Sequence, residues 1–209
     1  MTHQPPGNPP ARRVRPDVQR NLDALLTAAA EVFESEGVDA PVRRITAKAG
    51  VGAGTFYRHF PHRSDLITAV FRRDVDACAE AAPAFSQQYE PVEALTQWLQ
   101  CFAAFVAAKR GLKTALHSGD PAYESLPEYF HQRFVPVLAK LLDAAAASGD
   151  IRSDLAPHDL LRAMNDIVAP DDDGYTQRMI ALLVDGLRYR PAGAGPLAAD
   201  DAKTVRPRT

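Results

Sequence analysis

AGVGAGTFYRHF, residues 49–60, places three glycines within five positions and then runs through Thr, two aromatics, Arg and His. Such a glycine run has two physical uses. It can cradle a nucleotide phosphate, or it can turn the chain sharply between two helices. A dinucleotide loop follows a buried strand and opens a helix. Here the preceding segment, VRRITAKAG (residues 42–50), carries Val42, Ile45 and Ala49 at helical spacing, and no Gly-Lys-Ser/Thr follows the glycines. The second use therefore fits: helix, glycine turn, helix. Gly50 supplies a left-handed turn residue, Val51 plugs the small core, and Gly52 stands at the N-cap of the next helix.

That next helix, about Ala53 to His59, has a readable polarity. Phe56 and Phe60 are four apart and face inward. Gly54 and Arg58 share the opposite side, flanked by Thr55 and Tyr57. Ala53 and Gly54 add little bulk, so the backbone can approach base edges in a major groove. Thr55, Tyr57 and His59 carry polar tips suited to phosphate oxygens. Arg63, at the start of the following helix, adds a cation beside a positive dipole end.

Working outward, residues 1–15 are rich in Pro and Arg and are expected to be disordered. Arg12, Arg13 and Arg15 form an arm that can reach a minor groove or screen phosphates. Leu22, Leu25, Leu26, Ala29 and Phe33 mark a first helix stopped by Gly37. Asp39 is the candidate N-cap of the second helix, with Pro41 in its first turn. After the glycine turn and third helix, a fourth starts near Arg63 with Asp65 in its first turn and ends near Pro83. Further helical patterns cover about 91–110, 112–118, 124–147, 157–169 and 175–188. Pro136 lies inside the longest of these. Residues 191–209 form a second disordered tail. The reading is all-α, with about nine helices: a three-helix helix-turn-helix domain over 16–75 and a helical ligand-binding and dimerisation domain over 76–190.

The charge is unevenly spread. The chain's net charge is −2. Residues 1–63 hold nine Lys/Arg against six Asp/Glu, leaving the remainder at −5. A basic end joined to an acidic remainder suits a contact with a polyanion. The composition, 46% hydrophobic and 24% charged, is that of a soluble globular protein. With no signal-like or membrane-length apolar run, a cytoplasmic location is expected. Cys78 and Cys101, the two cysteines of the chain, lack metal spacing and read as reduced thiols in helices. The six histidines show no HExxH spacing and no GxSxG elbow is present, so neither a catalytic nor a metal site is assigned and no cofactor is expected. Asp171–Asp173 lacks the later Glu of a calcium loop.

Three pieces together, LLTAAAEVFESEG (25–37), ITAKAGVGAGTFYRHF (45–60) and PHRSDLITAVF (61–71), resemble the DNA-binding domain of TetR-type transcriptional regulators. The resemblance implies a homodimer on a palindromic double-stranded operator, with a C-terminal domain whose small-molecule effector lowers DNA affinity. Thr55, Tyr57 and His59 then match backbone-contacting positions. Ala53, Gly54 and Arg58 match positions near bases, and Arg63 a phosphate contact; Arg44 and Thr46 on the preceding helix are weaker candidates. Gly52 and Ala53 stand where the family commonly has Ser and often Lys. The alternative reading is a non-enzymatic helical sensor with weak or vestigial DNA binding.

Two tasks fall to the acidic part. The first is pairing: Leu160, Leu161, Met164, Ile167 and Val168 exceed one helix stripe, so the last two helices are expected to meet their copies across a two-fold axis. The second is effector binding. Trp98, Phe102, Phe105, Phe130, Phe134 and Met164 are its candidate walls, with His117, Tyr129 and His131 as polar contacts.

Overall fold

The computed structural model describes residues 16–109, 121–169 and 172–189. Every regular element among them is helical: α1 (Pro16–Glu36), α2 (Val42–Ala49), α3 (Ala53–His59), α4 (Arg63–Gln88), α5 (Pro91–Ala108), α6 (Leu126–Ala147), α7 (Pro157–Ile167) and α8 (Asp173–Arg188), with a short 3-10 turn at Pro121–Tyr123. The expected helix over 112–118, the arm at Arg12, Arg13 and Arg15, the 191–209 tail and His117 lie outside the described residues. The described residues form two compact units. The first is 16–71 with 121–123; the second is 72–109 with 124–169 and 172–189.

In the first unit, α1 packs on α2 and α2 on α3. Leu25, Leu26, Ala29 and Val32 from α1 meet Ile45, Val51, Phe56, Phe60, Leu66 and Val70 in one apolar cluster. Phe56 is 1% exposed; truncating so buried an aromatic typically costs about 3–5 kcal/mol. Phe56 and Phe60, one turn apart, pack at 5.8 Å between ring centroids. These two anchors fix which face of α3 is left outside.

Three boundaries differ from the sequence reading. First, α1 begins at Pro16, ahead of its apolar stripe. Second, Asp39 is not the N-cap of α2. Pro41 holds that position in an extended conformation without a side-chain cap, and its carbonyl accepts from the Arg44 N–H at 2.8 Å. Third, α4 runs through Pro83 to Gln88. A proline removes one helix hydrogen bond and strains one turn, but the turns on either side are long enough to carry the helix past it.

In the second unit, α5 packs against α6, α7 and α8, and α6 and α8 each pack on α7. Trp98, Leu99, Phe102, Phe134, Leu138 and Met164 are fully buried. The α7–α8 connection is set by the buried Thr176. Its hydroxyl donates to the Ala169 carbonyl at 3.1 Å and accepts the Ala169 N–H at 3.0 Å. Asp172 caps α8 by accepting the Tyr175 N–H at 2.8 Å. Leu160, Leu161 and Met164 are no spare apolar surface: at 1%, 1% and 0% exposure they are taken up by the protomer's own core. The large apolar side chains left outside in this unit are Tyr175 and Leu182 on α8 and Tyr189 just beyond it.

Candidate nucleic-acid interface

The turn between α2 and α3 follows from its glycines. Gly50 adopts φ 65, ψ 25, a conformation that costs a side-chain-bearing residue about 1–2 kcal/mol. Its N–H bonds the Ala47 carbonyl at 3.3 Å, and the Val51 N–H bonds the Thr46 carbonyl at 3.1 Å. The last carbonyls of α2 are thereby satisfied. Val51 turns into the core. Gly52 is extended at the N-cap of α3, and its carbonyl accepts from Thr55 and Phe56.

With Phe56 held inward, α3 presents Ala53, Gly54, Tyr57 and Arg58 fully outward, with Thr55 and His59 half-exposed. Nothing stands within 4 Å of where a Cβ on Gly54 would lie. Tyr57 is 56% exposed and its ring meets Phe56 edge-on at 5.2 Å. This contact steadies a ring that stays more than half exposed. The Arg58 Nε donates to the Gly54 carbonyl at 3.2 Å, which lays the guanidinium along the outer face of the helix.

The other candidates divide differently. Thr46 is buried at 8% exposure, and its hydroxyl donates to the Arg43 carbonyl at 3.3 Å. It braces α2 from inside. Arg44 reaches back to Glu36, donating at 3.2 Å from Nε and 2.9 Å from a terminal nitrogen. That hydrogen bond and the carboxylate charge raise its already high pKa further. Arg63 is engaged inside the protein. Its Nε donates to the Val38 carbonyl at 2.7 Å and a terminal nitrogen donates to the Ala40 carbonyl at 2.6 Å, with a further contact to Val38. Its guanidinium also lies 5.9 Å from the Phe33 ring centroid. Arg63, expected as a phosphate contact, and Thr46, expected as a weaker DNA-contact candidate, are thus found engaged within the protein. Helix position alone made both look outward, but Arg63 turns onto the α1–α2 connection and Thr46 is buried.

One residue was missed. Arg43 is exposed on α2, while its neighbours Arg44 and Lys48 are tied to Glu36 at 2.9 Å and Glu31 at 2.7 Å. The signal was present, since Val42 and Ile45 point inward and leave Arg43 facing out. At the start of α4, Asp65 accepts the His62 N–H at 2.9 Å, half of a capping box.

In the second unit the candidate effector walls form a closed set of rings. Trp98 and Phe102 stack at 5.5 Å, Phe102 and Phe134 meet edge-on at 5.2 Å, and Phe130 and Phe134 at 4.8 Å. Phe105 lies 5.4 Å from Phe134, and Met164 is fully buried. Tyr129 instead joins a polar ladder to α4: its hydroxyl donates to Asp76 at 2.7 Å, and Arg72 lies over its ring. His131 faces His158 at 5.0 Å between ring centroids. Open space lies elsewhere, for example a cleft of about 330 Å³ between α4 and α6 lined by Ala79, Pro83, Arg133, Val137 and Leu141. No three His, Cys, Asp or Glu side chains among the described residues gather as a metal site. No described helix is long and apolar enough to cross a membrane.

Comparison with known proteins gives a consistent result. Residues 25–70 match the family described as bacterial regulatory proteins, tetR family, and residues 90–189 match the C-terminal domain described as transcriptional regulator SbtR-like. A TetR transcriptional regulator from Streptomyces coelicolor superposes with a TM-score of 0.68 at 38% identity, covering 79% of this chain and 97% of that one. A TetR regulatory protein from Mycobacterium vanbaalenii gives 0.67 at 30% identity, covering 84% and 99%. A helix-turn-helix-type transcriptional regulator from Staphylococcus aureus is 39% identical over 64 residues, which span 30% of this chain and 35% of that protein.

Proposed function

Because this chain belongs to the TetR family of bacterial regulatory proteins, we propose that it binds a palindromic DNA operator as a homodimer and represses transcription until a small-molecule effector releases it. The observation that carries this reading is the outer face of α3. Tyr57 and Arg58 are exposed on a helix whose opposite side is pinned by Phe56, 1% exposed. In this reading Ala53 and Gly54 let the backbone approach base edges. Arg58 is the cation nearest the bases, while Thr55, Tyr57 and His59 hold phosphates. Arg43 adds a phosphate contact from α2. Arg44 and Arg63 act indirectly, by fixing α2 and the start of α4.

Pairing is assigned to α7 and α8, with α8 supplying the free apolar surface. Tyr175 and Leu182 are two helical turns apart, and Leu182 is 64% exposed. A two-fold axis there sets two copies of α3 on successive major grooves, roughly 34–36 Å apart or a multiple of that. The effector acts in the second unit. The rings of Trp98, Phe102, Phe105, Phe130 and Phe134 fill the space between α5 and α6, so a ligand entering there separates those helices. It thereby favours an arrangement in which the two recognition helices no longer match the grooves.

The test is to sequence DNA fragments retained by the purified protein and to measure mobility shifts on the fragment recovered. The expected result is an inverted repeat whose binding is weakened by Arg58→Ala and by Tyr57→Phe. Failure to enrich any inverted repeat, or unchanged binding by both variants, refutes the proposal.

A further inference from the structure

The two cysteines of this chain are 23 positions apart in sequence, one on α4 and one on α5, yet their sulfurs lie 3.7 Å from each other. We propose that Cys78 and Cys101 are a reversible dithiol–disulfide pair that is oxidised by hydroperoxides. Two independently placed cysteines in a chain of 209 residues have little reason to meet. A metal role lacks further ligands, since no third His, Cys, Asp or Glu joins them among the described residues.

The pair is asymmetric in the way such chemistry needs. Cys78 is buried, while Cys101 is half-exposed. The outer sulfur can meet a small oxidant and the inner one can resolve the product. The Cys78 hydrogen bond lowers the Cys101 pKa from 9.0 to about 7. The same hydrogen bond, with burial, pushes the Cys78 thiol up. This favours the thiolate, the nucleophilic form, at the outer sulfur.

The steps balance. The Cys101 thiolate attacks the distal oxygen of a hydroperoxide. An S–O bond forms, the O–O bond breaks, and the alkoxide or hydroxide leaves and takes up a proton. Cys78 then attacks the sulfenic sulfur. The S–S bond forms, the S–O bond breaks, and hydroxide departs with the Cys78 proton as water. Two thiols lose two electrons to the peroxide, giving one alcohol or water plus one further water. The sulfurs must close from 3.7 Å to about 2.05 Å. Nature has also placed a reporter beside them. Trp98, the single tryptophan, donates its indole N–H to the Cys78 carbonyl at 3.0 Å.

The experiment uses the full chain, reduced and desalted, then exposed to a small excess of hydrogen peroxide at neutral pH. Free thiols are alkylated before digestion. No Lys or Arg separates the two cysteines, so cleavage is made after Glu80 and Glu93. The expected result is a linked Cys78–Cys101 peptide pair within one chain, a mass about 2 Da lower from two lost hydrogens, and a changed Trp98 emission. Dithiothreitol should reverse all three. Cys78→Ser should leave Cys101 as a sulfenic acid that dimedone traps, and Cys101→Ser should leave Cys78 alkylatable. The wild-type peptide map stands alone if a variant fails to fold. Thiols that stay free, oxidation of Cys101 directly to sulfinic acid, or a cross-link found only between chains would each overturn the assignment.

Discussion

Replacing Arg63 with alanine separates two roles that position on a helix cannot distinguish. The side chain leaves α4 and clamps the α1–α2 connection through the carbonyls of Val38 and Ala40, with bonds of 2.7 and 2.6 Å and one further contact. Hydrogen bonds from a charged donor contribute about 1.5–3 kcal/mol. These carbonyls are part-buried, so water replaces the guanidinium incompletely. The loss for the set is therefore about 2–3 kcal/mol. With a urea m-value of about 2–3 kcal/mol/M for a protein of this size, the unfolding midpoint should fall by roughly 1 M. Arg63→Lys should lose nearly as much, because an ammonium keeps the charge but not the planar fork that reaches both carbonyls. Arg58→Ala is the mirror image: stability within about 0.5 kcal/mol of wild type, and weakened DNA binding. The readouts are urea melts by circular dichroism and mobility shifts at several salt concentrations. If Arg63→Ala leaves the midpoint within about 0.2 M and lowers the salt slope by roughly one phosphate contact, Arg63 faces DNA and the clamp argument is wrong.

Gly52→Ser should stabilise the fold by a few tenths of a kcal/mol, since no atom lies within 4 Å of the added Cβ and the hydroxyl can cap α3; a lowered melting temperature would contradict this. Gly50→Ala should cost about 1 kcal/mol, because φ is 65 there, and an unchanged thermal midpoint would show that the turn relaxes. Arg43→Ala should leave unfolding unchanged while reducing the slope of log affinity against log salt by about one; an unaltered slope removes Arg43 from the interface. Pro83→Ala should raise stability by about 1 kcal/mol or more, as the substitution returns an N–H to the interior of α4, and a loss in differential scanning calorimetry would mean that the proline shapes packing.

What was legible in the sequence was what depends on neighbours close in the chain. The periodicity of Phe56 and Phe60, the glycine at a left-handed turn and the apolar stripe of α1 each follow from local rules, and so did the all-helical architecture. What was not legible depends on where a distant segment folds. Arg63 meets carbonyls some twenty-five residues earlier, and Arg44 meets Glu36 across a loop, so neither partner could be read from spacing. The surplus of apolar residues at Leu160, Leu161 and Met164 misled for the same reason. How many faces of a helix are covered depends on how many neighbours it has, and α7 has α5, α6 and α8 around it. Pro83 failed differently: a helix tolerates one missing bond when the turns on both sides are secured.

In the proposed dimer, the modest charge of the outer α3 face makes pairing more than an accessory. Once Arg44, Lys48 and Arg63 are tied within the protein, the cations left on α2 and α3 are Arg43 and Arg58. On that proposal one copy would neutralise few phosphates, and a single half-site would bind weakly. Two copies held at groove spacing make the second contact intramolecular, which multiplies affinity by an effective concentration rather than by new contacts. A small change in the distance between the copies then loses one half-site almost entirely. Weak half-sites would then allow a coupling of ~1–3 kcal/mol, the usual range between two ligand sites, to separate bound from free. A mutation that strengthened each half-site, such as a lysine in place of Ala53, should raise affinity and blunt the effector response together. Tighter binding with an undiminished response would show that release does not work through spacing.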